Sequence, residues 1–472
     1  METIDGSRLK ELIENIYLIE DKDRIKNNGI ISDKRINLDG SSDIRYSDFN
    51  TIGFNNCHFF GSSIQFVNFK SKNDKDSTII FIDCTFNNDS LEFISCKKFN
   101  NVSFGGEINI KNNLSFSGCN LYLLSFNQEC KIETLRIDGS KIIKKFTINK
   151  NSITKLSINN TDFKGKVEIL DSTFNSASIS NLTCSNVFNF NKNEIKNNLD
   201  ITNVTFQKFN FYENKFSGEE ENCQMKFLDN TFKGKSYLSN WKALNTDLII
   251  QNCDFKKSTR FNNSSFKSLK LEETTFNDIC SFQDTEFYNV IIDRTSFDKT
   301  AYFDDILISD IENCDRKTLR NIKHELQRSN NKIDLDKFKA SEINAYRKEL
   351  KKDKKYCYNN IDVFILDVGY WFSKNGTDWF RALLVSLLGS FIFYALFFWA
   401  SVGDFGFGNF DFSELCFFMN GFTKFLIPTN IYNPLIDKTF VIGWSWLPFI
   451  LGKIFLSIGI YEIIVSFRKF KS

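Results

Sequence analysis

Lys453 and Glu462 stand inside Trp444–Phe467 (WSWLPFILGKIFLSIGIYEIIVSF), a stretch with no other charge. An ionisable side chain within a membrane span marks an ion path, a relay or a gate by default. The plainer alternative is a lysine that reaches out to the interface or pairs with a neighbour. The two residues are nine positions apart, about 180° around a helix, so they do not share a face. Asn420 and Lys424, in the apolar segment Phe412–Ile427 (FSELCFFMNGFTKFLI), join them as candidate pore-lining or gating groups. Arg381, Arg468 and Lys469 flank the apolar stretches and are candidate lipid-headgroup contacts.

Other reactive constellations are missing. The chain has 472 residues but only 2 His, His58 and His324, which leaves little room for histidine catalysis or a histidine-rich metal site. Gly403–Asn409 (GDFGFGN) alternates glycines but does not follow a strand and open a phosphate-binding helix. The acidic pairs Glu272-Glu273 and Asp304-Asp305 sit between apolar positions, where carboxylates are solvated. The chain is therefore expected to be no enzyme and to need no cofactor or metal. Its 12 Cys are scattered, with no Cys-x-x-Cys pair. Several fall in one local pattern (Asp-Cys84-Thr-Phe, Asn-Cys253-Asp-Phe, Asn-Cys57-His-Phe), which points to reduced thiols acting as small buried side chains.

That pattern belongs to a repeat. From about residue 44 to 310 an apolar residue, most often one of the 53 Phe, recurs every five or six positions. The cleanest run is Phe255, Phe261, Phe266, Leu271, then Phe276, Phe282, Phe287, Ile292, then Phe297 and Phe303, so each column repeats after 21 residues. Neither a helix nor a strand has a period of five. A coil with four short sides has it, one apolar residue pointing inward from each, and stacked coils share one core. Phe163 with Cys184, and Phe174 with Ile195, keep the same separation. Asn, Asp, Ser and Gly suit the corners. Segments 70–77 and 217–223 interrupt the pattern as loops, and between 87 and 150 the register cannot be assigned coil by coil.

On these residues the chain resembles the pentapeptide-repeat family, which implies a mainly β fold, a right-handed quadrilateral β-helix over residues 44–310. Phe takes the central position here, and Ser, Thr or Cys precedes it, as in Thr275-Phe276 and Ser296-Phe297. A β-solenoid with longer sides is the alternative. Some family members mimic DNA, which requires a strongly acidic face. Residues 51–310 hold 30 Lys+Arg and 31 Asp+Glu, so that role is not expected, and no nucleic-acid partner is. A rod that binds a protein partner is expected instead. Ser7–Glu20, with Leu9, Leu12, Ile13, Ile16 and Ile19 at helical spacing, is expected to cap one end within a lead-in of residues 1–43.

Residues 311–360 carry 14 basic and 8 acidic residues and read as a charged helical connector. One helix is expected over Asp315–Ser329, with a stripe of Leu319, Ile322 and Leu326. A second is expected over Asp334–Lys354, with Phe338, Ile343, Tyr346 and Leu350, after a turn at Asn330-Asn331. The basic block Arg347–Lys355 is either a solvated face or an attraction to anionic lipid.

Residues 361–472 are expected to form the membrane domain. Ala382–Val402 is 21 residues without a charge, long enough to cross about 30 Å of hydrocarbon. Residues 444–467 make a second span. Basic residues before the first and after the second place both termini in the cytoplasm by the positive-inside rule, in an inner (cytoplasmic) membrane. Residues 412–427 then read as a re-entrant helix between the spans. Tyr370-Trp371-Phe372 is expected at the interface. Leu319–Lys323, Phe338–Glu342, Ser373–Leu383 and Gly459–Phe470 resemble a bacterial family that joins pentapeptide repeats to a two-helix, potassium-channel-like module. The resemblance implies a homo-oligomeric pore. After the half-helix stands Ile427-Pro428-Thr429-Asn430-Ile431-Tyr432-Asn433, not a Thr-Val-Gly-Tyr-Gly filter, so potassium selectivity is not implied. The expected function is a solenoid that senses or binds a partner and controls such a pore, in stress response or as a defence effector on the membrane. A membrane-anchored scaffold without conduction is the alternative.

Overall fold

The computed structural model describes residues 2–15, 30–38, 42–45, 51–68, 78–218, 223–352, 359–402, 412–435 and 443–467. They divide into two compact units, Met1–Ile311 and Glu312–Ser472.

The first unit is a β-solenoid of about 11 turns of parallel stacked strands. The columns expected from the 21-residue spacing are the ones found. Phe255 pairs with Phe276 and Phe276 with Phe297; Phe266 pairs with Phe287 and Leu271 with Ile292. Their rings lie face to face: Phe255 on Phe276 at 4.7 Å, Phe261 on Phe282 at 4.6 Å, Phe282 on Phe303 at 5.1 Å. Parallel pairing places identical side chains directly above one another, so each aromatic contributes both burial and offset stacking. The looser early columns hold too, with Phe163 against Cys184 and Phe174 against Ile195.

Between 87 and 150 the core turns from Phe to Leu and Ile, and the spacing between stacked residues varies from turn to turn. Phe81 pairs with Phe104 and Phe104 with Phe126, while Leu114 pairs with Leu135 and Leu135 with Leu156. Register shifts fall between Lys97 and Phe99, Ile110 and Asn113, and Leu121 and Leu123. These bulges add a residue here and there, which blurs a fixed spacing in the sequence. Residues 70–77 and 219–222, in the two expected interruptions, lie outside the described residues; across them the ladder resumes, Phe54 against Phe81 and Ile201 against Phe227.

Two corners in each turn adopt left-handed backbone, and they stack. One column includes Lys150, Asp171, Lys192 and Glu213; the other includes Asn160, Asn181 and Asn203. Asn and Asp tolerate this conformation because their short side chains bond locally. The residue after each corner turns inward. Asn151, Ser172, Asn193 and Asn214 are buried, and each accepts through its side-chain oxygen from the backbone N–H of the preceding turn's equivalent residue, at 2.8–3.1 Å. Cys57, Cys84, Cys96, Cys119, Cys130 and Cys253 occupy the same kind of position, each directly after a left-handed corner. None of the eleven described cysteines is in a disulfide, and ten of them are buried.

Strands begin earlier than residue 44. Glu2–Asp5 pairs with Lys34–Leu38, which pairs with His58–Gly61. These first strands use Ile instead of Phe, so the aromatic spacing missed them. Helix α1 (Gly6–Asn15) packs against them with Leu9 buried; the expected extension to Glu20 lies outside the described residues.

The second unit is helical. α2 (Arg316–Arg328) and α3 (Lys332–Lys352) form the expected hairpin, with Asp315 capping α2 through Thr318 N–H. Leu319, Ile322 and Leu326 are fully buried. On α3, however, the buried set is Phe338, Ala340, Glu342, Asn344 and Ala345, while Ile343, Tyr346 and Leu350 are half-buried. α3 packs against α2 and against a helix the sequence pattern did not reveal, α4 (Asn359–Ser373), so its buried surface is not a single stripe. α5 (Trp379–Val402), α6 (Phe412–Phe425) and α7 (Trp446–Phe467) complete the unit.

Candidate functional site

α5 and α7 are long and apolar enough to cross a membrane; the candidate spans are Trp379–Ser401 and Gly443–Phe467, with mean hydropathy 2.1 and 1.8. They run antiparallel: Trp379 stacks on Phe467 at 5.3 Å, while Phe397 meets Phe449 at 5.3 Å. Small residues let them approach. A Cβ at Gly459 would sit 1.9 Å from Ser386 Oγ, and one at Gly452 would sit 2.7 Å from both Phe393 and Phe425. Pro448 is the third residue of α7, where no intrahelical donor is lost.

α6 lies against the end of this pair that holds Phe397 and Phe449. Phe418, Phe422 and Phe425 pack around the buried Tyr394 ring of α5, together with Phe398 and Leu435. Gly421 permits the contact, since a Cβ there would lie 2.0 Å from the Tyr394 hydroxyl. That hydroxyl and Ser390 Oγ, one helical turn away, are buried without a hydrogen-bond partner. The opposite side of α6 is different. Cys416, Asn420 and Thr423 are exposed together, at helical spacing.

Lys453 does not stand free. Its Nζ donates to the carbonyls of Phe425 and Ile427, both at 2.7 Å, and lies 4.9 Å from the Phe425 ring centre. The last carbonyls of a helix have no intrahelical partner and carry its negative end, so the ammonium caps α6. Glu462 is likewise engaged: Ser373 Oγ donates to it and accepts from Gly376 N–H at 2.7 Å. Lys374, Asn375 and Gly376 all have positive φ, so Glu462 holds a sharp turn between α4 and α5. The structure thus does not bring Lys453 and Glu462 together.

Asn420 is exposed, and its carbonyl accepts from Thr423 Oγ1. Lys424 is half-buried, and its carbonyl accepts from Ile427 N–H. Arg381 donates through Nε to the Trp371 carbonyl at 3.0 Å, and its backbone N–H is capped by Asp378. Arg468 and Lys469 lie outside the described residues.

The basic block is partly neutralised within the chain. Arg347 and Lys351 both donate to Asp367 of α4, at 2.9 and 2.7 Å, and Lys348 donates to the Glu312 carbonyl. The hydrogen bond from Lys351, reinforced by Arg347, holds the Asp367 carboxyl below the ordinary range. Burial pushes the Glu342 carboxyl up, but Lys323 and Arg320 outweigh it and leave it lowered. The sequence assigned no role to Asp367, Ser373, Gly376 or Thr423 individually, because only their neighbours in space give them roles. The one signal was Glu462, a carboxylate in an apolar run that required a donor.

Among the described residues no group of His, Cys, Asp and Glu is arranged to hold a metal ion. No family model, no curated protein and no solved structure matches the chain. The likeness to pentapeptide-repeat proteins therefore stands on the repeat itself.

Proposed function

We propose that this is an integral membrane protein whose solenoid, of the right-handed four-sided kind, binds a protein partner in the cytoplasm and controls a pore built by several copies of the membrane module. α5 and α7 are the spans, α6 is a re-entrant helix between them, and both termini are cytoplasmic. The observation that carries this reading is α6. Lys453 is the eighth residue of α7, so its cap fastens the C-terminal end of α6 about 10 Å along that helix, which supports a position at membrane depth. Backbone that turns at such depth is tolerated where it is buried in protein or lines water. The exposed face of α6 carries the Asn420 side chain, which lipid tails solvate poorly. Facing the same helix of neighbouring copies across water satisfies it, and two spans cannot enclose a channel alone.

A second reading, a membrane-anchored scaffold without conduction, is favoured by one fact: Lys453, Glu462 and Arg381 all bond within their own chain. Purified full-length protein in sealed liposomes separates the two. The pore reading expects an imposed ion gradient to collapse, and expects tight vesicles when residues 379–467 are replaced by an unrelated two-span anchor. Vesicles that stay tight with the intact chain, across salts and at varied protein density, leave the scaffold.

A further inference from the structure

α4 shows an apolar face that no described residue of its own chain covers. Ile361, Phe364, Ile365 and Trp371 are 61–69% exposed, and Val368 between them is half-buried. At 100° per residue these five fall within an arc of about 120°. One flank and the far side of the helix are fastened to protein: Asp367, on the flank, takes Arg347 and Lys351, and the Arg347 guanidinium lies 3.8 Å over the ring of Tyr370 on the far side. We infer that α4 lies in the plane of the bilayer surface, its apolar arc sunk to the boundary between phospholipid headgroups and acyl chains, with the connector hairpin clamped on its other side.

Three observations select phospholipid as the occupant. The face is continuous with a span, because α4 ends at Ser373 and α5 begins at Trp379. The two are tied at one level, with Arg381 at the mouth of α5 donating to the Trp371 carbonyl of α4. Trp371, Trp379 and Phe380, all exposed, gather at that junction, where aromatic side chains mark an interface. Fifteen residues make a helix of about 22 Å, too short to cross, so the arc lies along the surface. The inference rests on the membrane reading above and adds that the connector reaches the spans through a helix seated on lipid.

Environment-sensitive fluorescence tests it on the full chain in phospholipid nanodiscs. In a C357S/C416S background the label is placed at Phe364→Cys, and separately at Leu388→Cys on the exposed side of α5. The same background without a new cysteine controls for labelling of buried solenoid thiols. The expected result is blue-shifted emission at 364, quenched at least twofold more by lipid carrying a nitroxide near the headgroup than by one near the chain end, with the order reversed at 388. Adding Ile365→Glu should cut the quenching at 364 by half or more while leaving 388 unchanged, which also shows that the variant folds. Quenching at 388 but none at 364 overturns the inference and leaves the membrane reading intact. Disulfide trapping between copies through the thiol introduced by Phe364→Cys overturns it too, by putting a second chain on this face. Quenching at neither position removes both readings.

Discussion

Lys453 shows how a residue that stands out in the sequence can have partners that only the folded chain reveals. A lysine in an apolar span demands an explanation from the sequence alone, but its acceptors are backbone carbonyls at Phe425 and Ile427, which no residue type announces. Lys453→Met leaves those carbonyls without their donor. Hydrogen bonds to charged groups are worth about 1.5–3 kcal/mol each. The variant should therefore unfold in detergent several degrees below wild type, with Lys453→Arg closer to wild type; an unchanged midpoint for the methionine variant contradicts the capping role. Asp367 gives a second test. Its carboxyl is held down by Lys351 and Arg347, so its contribution is present above the unfolded-state value of about 3.9 and is lost as pH falls through the lower folded-state value. Amide exchange in α4 should rise as pH is taken from 6 to 3, after correction for intrinsic rates, and Asp367→Asn should show fast exchange already at pH 6. A pH-independent α4 in the wild type refutes the tether.

At the scale of elements, the solenoid was legible because parallel stacking repeats one side-chain position per turn. Phe255, Phe276 and Phe297 can be aligned by eye, and they do stack. The strands before residue 44 and the turns between 87 and 150 were not legible, since Ile and Leu replace Phe there and bulges shift the count. Phe276→Ala removes a ring fully surrounded by its own column, a change that costs about 3–5 kcal/mol in well-packed cores. Because each turn contacts only its neighbours, faster amide exchange should concentrate at residues 254–303, not across all turns; uniform loosening contradicts the stacked-turn picture. α4 was missed for a different reason. Asp362 and Asp367 break its apolar residues into short runs, and only the exposure of Phe364 and Trp371 shows that they form one face. Between the spans, Gly459→Leu should split α5 from α7, because its first carbon already collides with Ser386. A Cβ at Gly443 meets nothing within 4 Å, so Gly443→Leu is the control. Equal detergent stability of the two variants contradicts the close helix crossing.

At the scale of the molecule, two kinds of architecture share one chain: a β-solenoid built on stacked aromatics, and a helical unit with two helices long and apolar enough to cross a membrane and a short helix capped by Lys453 of the second. Near-neutral charge along the solenoid gives bulk electrostatics little part in selecting any partner it binds. The claim that unites the account is that α6 lines a water path shared by several copies. Current recording across a planar bilayer containing the purified Asn420→Cys protein, in the C357S/C416S background, tests it most directly. The account predicts discrete currents that fall when a charged, membrane-impermeant thiol reagent is added, with no response in the same background carrying Asn420. A silent bilayer, or currents that the reagent leaves untouched although the introduced thiol is labelled, contradicts it.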